Sequence, residues 1–271
     1  MTASQAEKAA RLAALHAGPG AFVIANAWDA GSARMLASIG FPALASSSGA
    51  AAGVLGRRDG RITREESLVH AKAIVAATSL PVSGDLENGF GDTPADAAAT
   101  ISGAIGIGLV GGSIEDYSGK AIYAHDLALE RVKAAVAAAR GAPFPFALTA
   151  RCENFIRGNP DLDDTIRRLQ AYEAAGADVL MAPGLPDLEA VRKVCASLKK
   201  PFNFMGGIKG RNPTVAELEA AGVRRVSLAT SLYRAAMTGL VAAAREVKEK
   251  GTFGYLDTTL ATPDLNAFMK D

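Results

Sequence analysis

Residues 80–115, LPVSGDLENGFGDTPADAAATISGAIGIGLVGGSIE, contain one complete turn of the pattern that sets the fold. The short apolar run that opens it reads as a buried strand. Thr93-Pro94 then supplies a helix start, a hydroxyl cap followed by a proline whose missing N–H costs nothing at that position. The alanine-rich stretch 94–106 continues as a helix, and a second apolar run at 109–115 reads as the next strand. Outward from this unit the same alternation fills the chain. Strands are expected at 22–25, 43–46, 82–85, 109–115, 146–151, 179–182, 202–205 and 225–228. Helices are expected at 32–38, 64–77, 94–106, 127–139, 162–175, 188–197 and 214–221, with a last one at 232–248. Gly40, Gly176 and Gly222 stand where helices must end before the next strand. Eight strand–helix units in about 230 residues predict a (β/α)₈ TIM barrel, an α/β fold. A doubly wound open sheet fits less well, because no G-x-G-x-x-G follows the first strand. No linker or low-complexity tract interrupts the pattern, so one domain over residues 1–271 is expected, with an N-terminal helix and a C-terminal helical extension.

The formal net charge of +1 gives no electrostatic footprint for nucleic acid or an acidic membrane surface. Two cysteines, Cys152 and Cys195, make no disulfide framework, which suggests a reduced, cytoplasmic setting. The N-terminal stretch carries Glu7, Lys8 and Arg11 and lacks the continuous apolar core of a signal peptide, and no run is long enough to span a bilayer.

In a barrel of this kind the active site lies at the C-terminal ends of the strands. The polar residues expected there concentrate on strands three, four and five: Asp85 and Glu87, Glu115-Asp116, and Arg151-Cys152-Glu153. On an extended segment alternate residues share a face, which places Asp85 and Glu87 together. Two adjacent carboxylates repel unless a positive charge stands between them, and a hard divalent cation held by oxygens answers that need. Three acids facing one arginine suit a metal together with an anionic ligand. The Ser47-Ser48-Gly49 turn offers successive N–H groups and hydroxyls that can hold a carboxylate or phosphate. Cys152, next to Arg151 on the strand, should face the helix layer as a buried thiol rather than the site.

The ordered blocks Asn26-Ala27-Trp28-Asp29, Ser46-Ser47-Ser48-Gly49, Leu55-Gly56-Arg57-Arg58-Asp59-Gly60, Asp85-Leu86-Glu87-Asn88-Gly89-Phe90-Gly91, Ile114-Glu115-Asp116 and Ala150-Arg151-Cys152-Glu153 resemble the isocitrate lyase and phosphoenolpyruvate mutase superfamily along nearly the whole chain. The resemblance implies a barrel whose last helix is swapped with a neighbouring subunit in a homotetrameric dimer of dimers. It implies a Mg²⁺ cofactor, with Mn²⁺ as a substitute, and a small-molecule carboxylate substrate of the 2-oxo or 2-hydroxy type. Carried over residue by residue, Asp85 is the direct metal ligand, with Glu87 and Glu115 completing the metal site. Trp28, Ser47, Ser48, Gly49 and Arg151 bind substrate. Asp59 lies near the substrate, and Arg151 balances charge on the reacting oxygen.

The chain departs from the superfamily pattern after strand four. Residues 116–125 (DYSGKAIYAH) are short and lack the Lys-Lys-Cys-Gly-His motif whose cysteine serves the isocitrate and methylisocitrate lyases in acid–base catalysis. Tyr117, Lys120 and Tyr123 are the lid residues available for proton transfer, with Tyr117 and Lys120 placed among the catalytic candidates. Strand six ends in Ala182-Pro183 where mutases carry a histidine. The expectation is therefore a Mg²⁺-dependent carbon–carbon bond lyase or decarboxylase working through an enolate-like intermediate. Phosphonopyruvate-type P–C chemistry and a non-catalytic 2-oxo acid binder are the alternatives.

Overall fold

The structure, a computed structural model, describes residues 3–210 and 213–269. Eight parallel strands close into a barrel in chain order: β1 (Phe22–Asn26), β2 (Ala43–Ala45), β3 (Val82–Asp85), β4 (Gly111–Glu115), β5 (Ala147–Arg151), β6 (Val179–Met181), β7 (Phe202–Met205) and β8 (Arg225–Ser227), with β8 paired back to β1. The eight expected strands all form. The helices are α1 (Gln5–Ala17), α2 (Ala30–Ile39), α3 (Ser48–Val54), α4 (Arg64–Ala77), α5 (Pro94–Gly106), α6 (His125–Arg140), α7 (Leu162–Ala174), α8 (Leu188–Ala196), α9 (Val215–Ala220), α10 (Ser231–Lys250) and α11 (Thr262–Ala267).

Side-chain alternation on the strands sorts the core. Outward-facing Ala25, Leu44, Ile114, Leu148, Leu180 and Phe202 pack against the helix layer and are nearly or fully buried. The opposite faces carry Asn26, Ser83, Ser113, Thr149, Asn203, Arg225 and Ser227, so the interior of this barrel is polar where branched apolar side chains are usual. Helix α1 closes the N-terminal mouth. Ala9 and Leu12 are fully buried against Phe22, Ile24, Val110 and Ala147, and Gln5 Nε2 donates to the carbonyls of Ile105 and Leu109 at 2.8 and 2.9 Å.

Helix starts follow the sequence signals. Thr63 and Thr93 form capping boxes with Glu66 and Asp96, and Pro94 opens α5. Gly40, Gly176 and Gly222 take φ of 104, 104 and 96°, the left-handed region that lets a helix stop without Cβ strain. Helix α3 was not expected from the sequence. Its SGAAAGV stretch has no apolar–polar periodicity and forms because Ser47 caps it while its small face fits under Tyr233, the position a Cβ on Gly53 would occupy.

The C-terminal segment behaves differently from the rest. No residue of α10, α11 or the stretch between them is buried, although Leu240 and Val241 of α10 and Phe253, Leu256 and Leu260 after it are large apolar side chains. Among the described residues no helix is long and apolar enough to cross a membrane.

Candidate active site

The C-terminal ends of the strands open into a cavity of ≈ 1000 Å³ that runs down into the barrel. Ser47, Ser48, Gly49, Asp59, Asp85, Glu87, Glu115, Tyr117, Lys120 and Arg151 all line it. Every predicted site residue is thus brought to one place except Trp28. The Trp28 ring packs edge-on against Tyr233 at 5.7 Å, its carbonyl is bonded to His70 Nε2 at 2.7 Å, and it is not among the cavity-lining residues.

Arg151 is the centre of the site. Its Nη1 donates to Asp85 Oδ1 at 3.0 Å, its Nη2 lies 3.1 Å from Glu115 Oε2, and its Nε and Nη2 donate to Glu153 Oε1 at 3.1 and 2.9 Å. Burial by itself would lower the pKa of this guanidinium, but the Glu153, Glu115 and Asp85 carboxylates outweigh it and hold the pKa above the ordinary value. The cation is fixed in charge and in direction.

Asp85 ends β3. Its backbone N–H donates to Ser46 Oγ at 2.9 Å, and its Oδ2 accepts the Ser48 N–H at 2.9 Å. The Ser48 amide is therefore engaged with Asp85, and the carboxylate is pinned from both oxygens. The strand stops at this residue, so simple alternation does not place Glu87. Glu87 instead reaches the same cavity from a left-handed backbone, φ 49°, in a turn that also holds Gly89 at 87° and Phe90 at 58°. A non-glycine residue held there costs on the order of 1–3 kcal/mol, and such strain gathers at functional sites.

Glu87 Oε1 is buried and has no hydrogen-bond partner among the described residues. Burial, then the charges of Asp85 and Asp59, push its carboxyl up to about 7. Glu115 is likewise raised, chiefly by burial, against the pull of Arg151. Asp85, Glu87, Glu115 and Glu153 meet two arginines, Arg151 and Arg157, so the carboxyl groups outnumber the cations present to balance them. An orphaned buried carboxylate oxygen beside Asp85 is what a hard cation would satisfy, and the donor set fits Mg²⁺. Among the described residues no three His, Cys, Asp or Glu side chains converge closely enough to ligate an ion together. Such an ion would therefore rest on Asp85, with Glu87 and Glu115 as outer acceptors.

The sequence reading missed Arg157, which follows Glu153 by four residues on a short 3₁₀ turn (Phe155–Arg157). Its guanidinium stacks over the Tyr117 ring at 4.1 Å and stands 3.4 Å from Glu153 Oε2 and 3.8 Å from Glu115 Oε1. It joins the 116–123 hairpin, closed by Ser118 N–H to the Ala121 carbonyl at 2.9 Å, to the charge network. Beneath it, Asp116 accepts from the Glu153 N–H, Tyr172 Oη and Arg168 Nη1 at 2.8, 2.7 and 3.2 Å. Tyr123 is committed elsewhere: it donates to Asp92 at 2.6 Å and accepts from Asn88 at 2.9 Å, with Arg131 over its ring, and its hydroxyl is pushed up to about 12, chiefly by burial. Cys152 is fully buried in the helix-facing core, as the strand alternation predicts.

The phosphoenolpyruvate phosphomutase family profile matches residues 12–248. Oxaloacetate decarboxylase 2 of Pseudomonas fluorescens (strain Pf0-1) is 30% identical over 248 residues, 89% of this chain and 83% of that protein. A solved structure of a provisionally named lyase/mutase from Burkholderia cenocepacia J2315 is 49% identical, with a TM-score of 0.96 over 97% of this chain and 96% of that one. The solved 2,3-dimethylmalate lyase, a PEP mutase/isocitrate lyase superfamily member, is 27% identical with a TM-score of 0.85, covering 96% and 94% of the two chains. The chain belongs to the phosphoenolpyruvate phosphomutase family, within the isocitrate lyase/PEP mutase superfamily.

Proposed function

We propose that this protein is a Mg²⁺-dependent carbon–carbon lyase or decarboxylase acting on a small 2-oxo or 2-hydroxy (di)carboxylate. The observation that carries the reading is Arg151, locked by Glu153 and aimed between Asp85 and Glu115 beside the unpartnered Glu87 carboxylate. Bond cleavage next to a carbonyl or alkoxide leaves negative charge on oxygen. A fixed guanidinium that does not reorganise during the reaction stabilises that charge more in the transition state than in the ground state. When bound at Asp85, a divalent cation (Mg²⁺, or Mn²⁺ in its place) supplies Lewis-acid stabilisation of the same oxygen.

The chain's own groups divide the remaining work. Ser47 and Gly49 offer N–H groups to the substrate carboxylate, with Ser48 tying that turn to Asp85. Asp59 stands against Gly49, its Oδ2 3.2 Å from where a Cβ there would lie. Arg157 adds a second cation above Glu115 and carries the Tyr117 ring, so that Tyr117 and Lys120 form the side of the cavity from which a proton can be delivered. A decarboxylation asks least of this lid, because Arg151 already faces the oxygen on which charge develops and no dedicated acid has to protonate a leaving group. The similarity to an oxaloacetate decarboxylase supports that branch, and the similarity to 2,3-dimethylmalate lyase supports cleavage of a substituted malate. The phosphomutase profile keeps P–C chemistry as the second reading. The uncovered apolar side chains of α10 and the segment after it support a homo-oligomer, a dimer of dimers in which the last helix crosses to a neighbour, and the two free cysteines suit a cytoplasmic setting.

The test is mass-spectrometric product detection with oxaloacetate, 2,3-dimethylmalate, 2-methylisocitrate and phosphonopyruvate, each with Mg²⁺ or EDTA. Metal-dependent loss of one C–C substrate, absent in Asp85→Ala, is expected. Turnover of phosphonopyruvate alone would transfer the protein to P–C chemistry, and metal binding without any turnover would leave a 2-oxo acid binder.

A further inference from the structure

Arg225 sits at the start of β8, inside the barrel, only 4% exposed and on the floor of the cavity. Its Nε donates to Asn203 Oδ1 at 2.7 Å and its Nη2 to Thr149 Oγ1 at 2.8 Å, and its Nη1 lies 3.4 Å from His16 Nε2. All three partners are neutral, since burial followed by the Arg225 charge itself pushes His16 down to about 3. Burial alone acts on the Arg225 pKa, bringing it down to about 9, with no carboxylate among the described residues offsetting it. This is the opposite of Arg151, which is ringed by acids. A guanidinium has five N–H donors; three are directed at these partners and two, on the Nη atoms, are left over. A buried, unpaired charge is costly, and the usual remedy is a counter-ion that also takes the spare hydrogen bonds.

The surroundings suit such a counter-ion. Ser83, Ser113, Asn203 and Ser227 line the same cavity as Arg225, and Asn203 Nδ2 donates to Ser227 Oγ at 3.0 Å. Asp85, Glu115 and Arg151 lie one inward-facing position further along their strands than Ser83, Ser113 and Thr149, and the β3–β4 register sets Asp85 beside Ser113, above the residues that bind Arg225. Two residues of strand rise about 6.5 Å, so Arg225 engages a layer roughly that far below the Arg151 layer.

We infer that the barrel floor is a second anion site, in which Arg225, with Asn203 and the nearby Ser83 and Ser227 hydroxyls, binds one small monovalent anionic group of halide or carboxylate size. The inference stands on the barrel interior and does not depend on the reaction proposed above. Two sources share this chemistry: a free ion, or the distal carboxylate of a dicarboxylate whose other end sits one layer up beside Arg151.

Bromide is the probe. Crystals of the full-length protein grown in sodium bromide should give an anomalous peak within hydrogen-bonding reach of the Arg225 Nη atoms. In solution, bromide should raise the melting midpoint relative to gluconate at equal ionic strength, and Arg225→Met should lose both the peak and the shift. If Arg225→Met does not fold, Arg225→Lys, which keeps the charge and loses the fork, should need at least tenfold more bromide for the same shift. Displacement of the bromide by succinate would identify the distal-carboxylate source, and persistence of the peak with succinate bound would identify a free ion. A floor without anomalous signal at saturating bromide, with identical midpoints in bromide and gluconate, would overturn the inference.

Discussion

Replacing Asp116 by Asn tests whether the buried network under the site is a structural keystone. Asp116 is 3% exposed and accepts from three donors: the Glu153 N–H, Tyr172 Oη and Arg168 Nη1. Asparagine keeps the shape but removes the charge and turns one acceptor into a donor facing donors. Breaking one side of a buried ion pair costs about 3–5 kcal/mol. Arg168 keeps Asp164 at 2.9 Å and the Tyr123 carbonyl at 3.1 Å, so the lower end, about 3 kcal/mol, applies. At roughly 2–4 °C per kcal/mol for a chain of this size, the thermal midpoint should fall by about 6–12 °C, read by calorimetry. In a double-mutant cycle with Arg168→Met, the double variant should lose clearly less than the sum of the singles. A midpoint within 2 °C of wild type, or strict additivity, would refute the reasoning.

Three further outcomes are expected. His16 has its pKa lowered to about 3 by burial and Arg225, so the folded protein holds it neutral while the unfolded chain protonates it below about 6.5. Stability should therefore decline as pH falls from 6.5, by about 2 kcal/mol at pH 5, and His16→Gln should remove that share of the slope in urea titrations. Gly49→Ala would place a Cβ 2.8 Å from Thr230 Cγ2 and 3.2 Å from Asp59 Oδ2, and kcat/KM on the active substrate should fall about 10–100-fold; an unchanged value would remove Gly49 from the site. Cys152→Ala should leave kcat within about twofold of wild type while costing about 1 kcal/mol of stability, and a large loss of turnover would contradict its placement in the helix-facing core.

The barrel was legible because strand and helix periods alternate without interruption and because caps such as Thr63, Thr93 and Asp161 sit where helices begin. The helices at 64–77 and 94–106 form over the predicted residues. Helix α3 escaped notice, since a run of Ser, Gly and Ala carries no amphipathic signature and is ordered by a cap and by Tyr233, which lies far along the chain. The strand-end acids and Arg151 were legible from chemistry at fixed spacing, although Glu87 arrives by a left-handed turn and not by strand alternation. Arg157 and Arg225 were not, because an arginine six residues beyond a strand, or at the bottom of one, looks like any solvated charge until the barrel closes around it. Only the closing of β5 to β8 around one interior reveals that Thr149, Asn203 and Arg225 meet.

Calorimetric titration of oxalate, a planar dianion that mimics the enolate of pyruvate, tests the central claim without knowing the substrate. Binding of one oxalate per chain that requires Mg²⁺, is abolished in Asp85→Ala, and weakens about 100-fold or more in Arg151→Met is the predicted result, about 2.7 kcal/mol for the arginine. Equal binding in Mg²⁺ and EDTA, or binding indifferent to Arg151, would contradict it.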